Sequence, residues 1–266
     1  MQLKNIFALA ALMTRYGLRN NVILGLVLVS FFLQACALFF FNFVPRDIGM
    51  VTSDYVVSIG WIGGMLFIFF HGVSALSWGE NQRAIHTLLS TPISRTEYVF
   101  GMFAGLLFLL FLLNTLLALL GYGILLLAKS IAGIYFIRIG IPEYLLAWWG
   151  VFSIEAMILS VLLLFSGLIR GTASVFTVTL SYYLICSGLP VAIEFLKQDN
   201  VFMRKFLEVL TLIFPNFSRF DYKGIIAVFG EWPSLQTLSI NTAYTLLYVA
   251  LILIFAAGVY GERDLK

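Results

Sequence analysis

The chain has 266 residues, of which 61% are hydrophobic and only 11% are charged, and its formal net charge is +3. Its mean hydropathy is +1.01. A soluble domain cannot bury so much apolar surface, so the composition predicts an integral membrane protein, and the small positive charge gives no indication of nucleic-acid binding.

The first predicted element is an amphipathic helix over residues 1–21. Lys4, Arg15 and Arg19 fall within about 60° of one another around its axis at 100° per residue, and most other positions are apolar. This pattern is typical of a helix that lies at the membrane interface. The arginines interrupt the apolar stretch and no small-residue cleavage site follows, so we predict a retained helix rather than a signal peptide.

Six nearly uncharged stretches follow, each longer than the roughly 20 residues that a helix needs to cross the hydrocarbon. They are residues 22–44, 55–79, 98–128, 144–169, 171–193 and 235–260. The stretches between them are too short to fold as an enzyme or nucleotide-binding domain. We therefore predict an all-α polytopic membrane protein with one transmembrane domain, 1–266, and an energy source on another chain. Cations before the first span, with Asp47 and Asp54 after it, favour both termini in the cytoplasm.

Residues 80–97 join the second and third predicted spans. Ile85, Leu88 and Leu89 have the i, i+3, i+4 spacing of one helix face, and polar side chains surround them. An apolar surface in an aqueous loop must pack on the same chain or on a partner. Two interpretations therefore remain open, a plain helical connection and a docking helix.

The end of this connection carries its own signals. Pro92 disfavours helical geometry at Thr91, which ends the short helix. Ser94 and Glu97 form an S-x-x-E capping box, in which each side chain binds a backbone N–H of the other residue. This motif predicts that a new helix begins here and runs into the third span.

Residues 194–234 precede the sixth span on the outer side. Within 201–214, charged positions occupy one face and apolar positions the other, which is typical of a helix at a membrane surface. Residues 224–229 are apolar but too few to span. An ordinary amphipathic surface loop is the alternative interpretation.

Glu155 is the only formally charged residue within the predicted spans. A central acidic residue that faces lipid costs roughly 2.5–3.5 kcal/mol, so we expect Glu155 to face the interior. Asn114, in the long third span, is a candidate to lie at a similar depth and supply a hydrogen bond. His71 lies nearer the cytoplasm, and a direct pair with Glu155 is not expected. Glu155, Asn114 and His71 are candidate pathway residues, and a protonated, hydrogen-bonded packing role is the alternative for Glu155.

Catalytic and metal-binding motifs do not occur in the sequence. It contains no G-x-x-x-x-G-K-[ST] and no H-E-x-x-H, and Ser187 lacks the glycine that an intramembrane serine protease needs two residues before it. Cys36 and Cys186 lie within apolar stretches, where thiols pack as small hydrophobes. We therefore predict no catalytic residue, no metal and no cofactor on this chain.

The connection between spans two and three resembles the signature of a known family. The resemblance is carried by Glu80, Thr87, Leu88, Leu89, Pro92, Ser94, Arg95 and Gly101. These residues are similar to those of bacterial ATP-binding-cassette exporter permeases of the type-2 class, the group that includes the nitrous-oxide-reductase maturation permease. Weaker similarities follow the first span, at Arg46-Asp47-Ile48-Gly49, and occur in the outer segment, from Pro215 to Phe220. Met102 departs from the family, which often has lysine there.

The resemblance implies a fold and a set of contacts. It implies an interfacial N-terminal helix, six spans, a coupling helix within 80–97 and short re-entrant helices within 194–234 that cap the translocation path. The coupling residues that it implies are Glu80, Arg83, Ile85, Thr87, Leu88, Leu89, Pro92, Ser94 and Arg95.

The resemblance also implies partners and a location. Two ABC ATPase subunits, which carry ATP and Mg, would bind under the inner face of a bacterial cytoplasmic membrane. A second permease copy or a paralogue would complete the pathway as a dimer, and an accessory periplasmic or membrane subunit and membrane lipids are further expected partners. The alternatives are an intramembrane enzyme and an ATPase-independent channel. A single charge in the spans favours an amphipathic or lipid-like cargo over ions.

Overall fold

A computed structural model describes residues 3–19, 21–42, 48–76, 94–131, 133, 140–196, 205–206, 209–211, 213–226 and 232–262. Within these ranges the regular structure is helical, without strands. The long helices in chain order are α1 Leu3–Arg19, α2 Val22–Ala35, α3 Ile48–Leu66, α4 Arg95–Ile131, α5 Ile141–Leu168, α6 Thr172–Leu196 and α7 Leu235–Glu262. A 3-10 helix, Cys36–Asn42, continues α2, and a π-helical turn, Phe67–Gly72, continues α3.

The prediction of an all-helical, multi-pass protein is confirmed at the level of length and composition. Five helices in the described ranges are long and apolar enough to cross a membrane: Ile48–Leu76, Arg95–Ile131, Ile141–Leu168, Thr172–Ile193 and Leu235–Glu262. Leu3–Arg19 and Ile23–Phe39 qualify only together, as a pair bent by 60° that would make a sixth span. The predicted first span, 22–44, is therefore not one α-helix, because α2 ends at Ala35.

Helix α1 packs lengthwise against the first half of α4, a contact that the sequence did not predict. A Cβ atom placed on Gly101 would lie 2.6 Å from Leu9 Cβ, and one on Gly105 would lie 2.7 Å from Met13 Cβ. One turn of α1 thus matches one turn of α4, and the two helices run in the same direction. Small residues four apart allow this close approach. A helix is present where the interfacial helix was predicted, and it packs along a candidate span; its position at a membrane interface stays a prediction.

The centre of the bundle is formed by α3, α4 and α5. The most apolar windows of α3 and α5 are 72% and 78% buried, against 17% each for α6 and α7. Glycines of α3 face its neighbours: Gly60 faces Trp148 of α5, Gly63 faces Leu117 of α4, and Gly64 faces α5 again. Their missing side chains let three helices pack closely, while α6 and α7 keep large apolar faces exposed.

The first described turn of α1 and the last described turn of α7 lie at one end of the bundle. The first turn of α1, the first turn of α4 and the last turn of α7 meet there, and we call this the terminal end. The opposite end, which carries the starts of α3, α5 and α7, is called the distal end. The predicted topology makes the terminal end cytoplasmic.

Single cysteines test this topology. We expect cysteines at Asn81 and Leu265 to react with an impermeant maleimide only from the cytoplasmic side, and one at Asn216 only from outside. The charge bias of the first hairpin supplies the physical reason. Labelling in intact cells and in inverted vesicles measures it, and reaction of the Asn81 position from outside would exclude a cytoplasmic connection.

Candidate functional site

The predicted coupling segment enters the described part of the chain only at Ser94. Residues 80–93 lie outside the described residues, so the helix and the apolar face predicted there stay predictions. These positions include the predicted coupling residues Glu80, Arg83, Ile85, Thr87, Leu88, Leu89 and Pro92. Ser94 and Arg95 are described, and they show how the segment is attached to the bundle.

The capping box predicted at Ser94 and Glu97 is confirmed. The Glu97 N–H donates to Ser94 Oγ at 3.2 Å, and the Ser94 N–H donates to Glu97 Oε2 at 3.1 Å. Asn5 Nδ2 of α1 donates to the same carboxylate oxygen at 2.9 Å. The start of α4 is therefore stabilised locally by the motif and is also hydrogen-bonded to the start of α1.

Arg95 connects the start of α4 to the end of α7. Its Nη1 donates to the carbonyl oxygens of Tyr260 at 3.0 Å and Gly261 at 2.8 Å. A cation is favourable here, because the last carbonyls of a helix carry partial negative charge. The Tyr260 hydroxyl lies 2.8 Å from Ser166 Oγ of α5, and its ring lies 6.0 Å from that of Tyr98. One turn of α4 thereby contacts α1 and α7, and α7 in turn contacts α5 through Tyr260. We call these contacts the terminal junction.

The hydrogen bond expected between Asn114 and Glu155 is present in the bundle core. Asn114 Nδ2 donates to Glu155 Oε2 at 2.5 Å, and Glu155 is fully buried. Any side chain on Gly64 would overlap Glu155 Oε1, so α3 accommodates the carboxyl group only because residue 64 is glycine. Among the described residues, Glu155 Oε1 and Asn114 Oδ1 have no hydrogen-bond partner.

His71 lies apart from this pair, as the sequence predicted. It belongs to the π-helical turn of α3, two turns or about 10 Å along the helix from Gly64. Its ring stacks on Tyr16 of α1 at 6.3 Å and lies 5.0 Å from the ring of Phe67. His71 is therefore part of the contact between α1 and α3.

At the distal end, residues 213–226 form a segment that packs along α3. Lys223 Nζ lies 3.4 Å from Asp54 Oδ1, 3.2 Å from Ser58 Oγ and 5.7 Å from the centre of the Trp61 ring. These partners occupy successive turns of one face of α3. Lys223 also lies 3.9 Å from Asp221. The sequence carries this face as Asp54-x3-Ser58-x2-Trp61, but nothing in it identifies Lys223 as the partner.

The same distal segment also packs against α5 and α7. Any side chain on Gly150 would overlap the carbonyl oxygen of Phe220, so α5 meets the backbone of the segment directly. Asn241 of α7 donates to the Arg219 carbonyl at 3.1 Å and to the Tyr222 hydroxyl at 2.8 Å. These hydrogen bonds satisfy backbone and side-chain groups that would otherwise be buried without partners. The segment therefore occupies the space between helices.

The structure describes only part of the outer stretch predicted at 194–234. The described part includes the 3-10 helices Phe217–Phe220 and Lys223–Ile225. Half of the residues predicted as a helix at 201–214 lie outside the described residues, and of the others 205–206, 209–211 and 213 are helical. A cavity of about 200 Å³ lies between the distal segment and helices α3, α5 and α6. Whether this stretch enters a bilayer stays a prediction.

No protein-family model matches the sequence, and no curated protein matches it. Within the part of the chain that the structure describes, no three His, Cys, Asp or Glu side chains are grouped so that they could hold a metal ion. Cys36 and Cys186 are free thiols. Functional assignment therefore depends on the terminal junction, the buried polar pair and the distal segment.

Proposed function

We propose that this chain is the membrane subunit of an ATP-driven exporter, a type-2 ABC permease of the bacterial cytoplasmic membrane. It works as a dimer, with a second copy or a paralogue, and two separate ATPase subunits drive it from the cytoplasm. The observation that carries the proposal is the terminal junction, because the residues that directly follow the predicted coupling helix are hydrogen-bonded to both α1 and α7.

The junction supplies a path for force. Ser94 and Glu97 hold the first turn of α4 in one conformation, so a displacement of residues 80–93 is passed to α4 as a rigid element. Asn5 and Arg95 then transmit it to α1 and α7. A plain surface connection has no need of such contacts, whereas a segment that an ATPase pushes does.

The buried polar pair, Asn114 and Glu155, lies between helices that such a movement would displace. Asn114 is on α4, Glu155 is on α5, and Gly64 is on α3. The proposed coupling helix connects α3 to α4, so ATP-driven closure of the ATPases shifts both helices against α5. The distal segment, bonded to α3 by Lys223, closes the outer side until α3 moves. This sequence of events opens the pathway outward.

Copurification tests the proposal. The tagged chain, purified from its native membranes in mild detergent, is expected to bring down an ATPase that carries G-x-x-x-x-G-K-[ST], and the complex is expected to hydrolyse ATP. Mass spectrometry and ATP turnover measure both. Purification without any ATPase, together with ion conductance of the chain alone in planar bilayers, would instead support an ATPase-independent channel.

A further inference from the structure

A groove of about 530 Å³ runs between α4 and α5 in the distal half of the bundle. Its volume lies within the roughly 300–1,000 Å³ that is usual for small-molecule sites. None of its twelve lining residues carries a formal charge, and six of them are aromatic. The groove is thus suited to hydrocarbon and unsuited to ions.

The floor of the groove is closed and the rim is open. Tyr144 and Trp148 at the floor are 2% and 5% exposed, whereas Leu119 and Leu145 at the rim are 67% and 58% exposed. The Tyr144 hydroxyl donates to the carbonyl oxygen of Ala118 at 2.8 Å. An apolar chain in the groove therefore leaves the Tyr144 hydroxyl paired.

The rim is built for a flexible chain rather than for another helix. Transmembrane helices pack closely through small residues. Gly101, Gly105 and Gly121 of α4 already face other helices of the same chain, and Gly123, which faces open space, does not line the groove. The rim instead carries Phe111, Leu119, Ile141, Leu145 and Trp149, which are all exposed. Bulky, separated side chains leave a channel between them that a hydrocarbon chain can fill.

The dimensions and charge indicate which lipid. From Ile141 to Phe152, α5 rises about 16 Å, which is about half of the ~30 Å hydrocarbon thickness and thus one leaflet. Lys129 lies seven residues beyond Tyr122 on α4, within about 20° of the same face and about 10 Å further toward the distal end. A cation at this height is complementary to a phosphate headgroup.

We propose that this groove binds one acyl chain of an anionic phospholipid, whose headgroup is held at Lys129. This site goes beyond the proposed export function and does not depend on it, because it requires only this chain and a bilayer. Its test uses the permease without any ATPase, so failure of the two proposals can be told apart.

Photolabelling tests the acyl-chain site. The chain is reconstituted in phosphatidylcholine vesicles doped with phosphatidylglycerol whose acyl chain carries a diazirine. Labelled peptides are expected from both 111–122 and 141–152. Ala118→Phe, which fills the groove, should lower this labelling by about tenfold, and Leu116→Phe, on an exposed position of α4 outside the groove, should not. Unchanged labelling in Ala118→Phe would overturn the proposal.

The headgroup is tested with matched charge variants. Lys129→Gln should lower labelling by the phosphatidylglycerol probe about fivefold and leave labelling by a phosphatidylcholine probe unchanged. Arg170→Gln removes an exposed cation from the other end of the bundle and should change neither. Equal labelling of the unmodified chain by both probes would overturn the headgroup assignment.

Two further measurements keep the result interpretable. Competition by unlabelled phosphatidylglycerol on the unmodified chain requires no variant, and it should saturate. If it does not saturate, the proposal is wrong even if Ala118→Phe fails to fold. The mass of the assembly in detergent is measured alongside, because an unlabelled groove in the unmodified chain together with loss of a dimer in Ala118→Phe would show that a second copy, and not a lipid, occupies the groove.

Discussion

Replacing Leu88 and Leu89 together with alanine is expected to weaken association with the ATPase that we propose as partner by roughly 30-fold or more. These residues, with Ile85, form the apolar face of the proposed coupling helix. Removing anchors from a helix-in-groove contact typically costs about 2 kcal/mol or more, and ~1.4 kcal/mol corresponds to a factor of ten. Insertion should be unaffected, because no span is altered. Titrated pull-down in detergent and ATP turnover of the reconstituted complex measure the effect.

The control for this variant is a second pair of adjacent leucines. Leu246 and Leu247 on α7 are each 65% exposed, and their double replacement by alanine removes the same atoms from a surface that the proposal does not assign to the ATPase. A single change at Glu80 or Arg83, on the polar rim, should weaken binding less. If the Leu88 and Leu89 variant binds and transports normally, residues 80–97 are a plain connector.

Asn114→Leu is expected to destabilise the folded chain by about 3 kcal/mol, because it leaves the fully buried Glu155 without its hydrogen-bond donor. For a chain of this size, that corresponds to a fall of about 6–12 °C in the midpoint of thermal unfolding. Asn114 also donates to the carbonyl oxygen of Leu110 at 3.1 Å. Because that oxygen lies within a helix, losing this second hydrogen bond should destabilise the chain less. Unfolding in detergent, followed by size-exclusion fluorescence, measures the shift.

Two companion variants show whether the pair explains the loss. Asn114→Leu combined with Glu155→Leu should recover much of the stability, since it leaves neither polar group unpaired. Glu155→Gln keeps the shape and a hydrogen-bonding oxygen, so folding and assembly should be nearly unchanged. Transport by the Glu155→Gln complex then separates the two roles: normal transport indicates packing, and reduced transport with intact assembly indicates a pathway residue. Loss of assembly with glutamine would contradict both.

The sequence alone determined the features that depend on local composition. The predicted spans 98–128 and 144–169 correspond to the helices Arg95–Ile131 and Ile141–Leu168, because an apolar stretch must satisfy its backbone hydrogen bonds within a helix if it lies in hydrocarbon. The capping box at Ser94 and Glu97 was also predictable, because it is local: its residues are three apart and its hydrogen bonds form within one turn.

The buried polar pair, Asn114 and Glu155, was predictable in part. The isolation of Glu155 among apolar residues required it to face a polar partner, and Asn114 was available at a matching depth. Hydropathy did not show that α2 changes to a 3-10 helix after Ala35, because the residues stay apolar when the helix type changes.

Only the tertiary structure decided which distant residues meet. Asn5 and Glu97 are 92 residues apart, and Lys223 and Ser58 are 165 apart. An amide or a lysine in the sequence shows that a partner is needed but does not show which one, because the partner depends on how the helices are arranged around one another. The packing of α1 along α4 is a further example. Gly101 and Gly105 indicate that some helix packs closely against α4, but only the arrangement of the helices shows that this helix is α1.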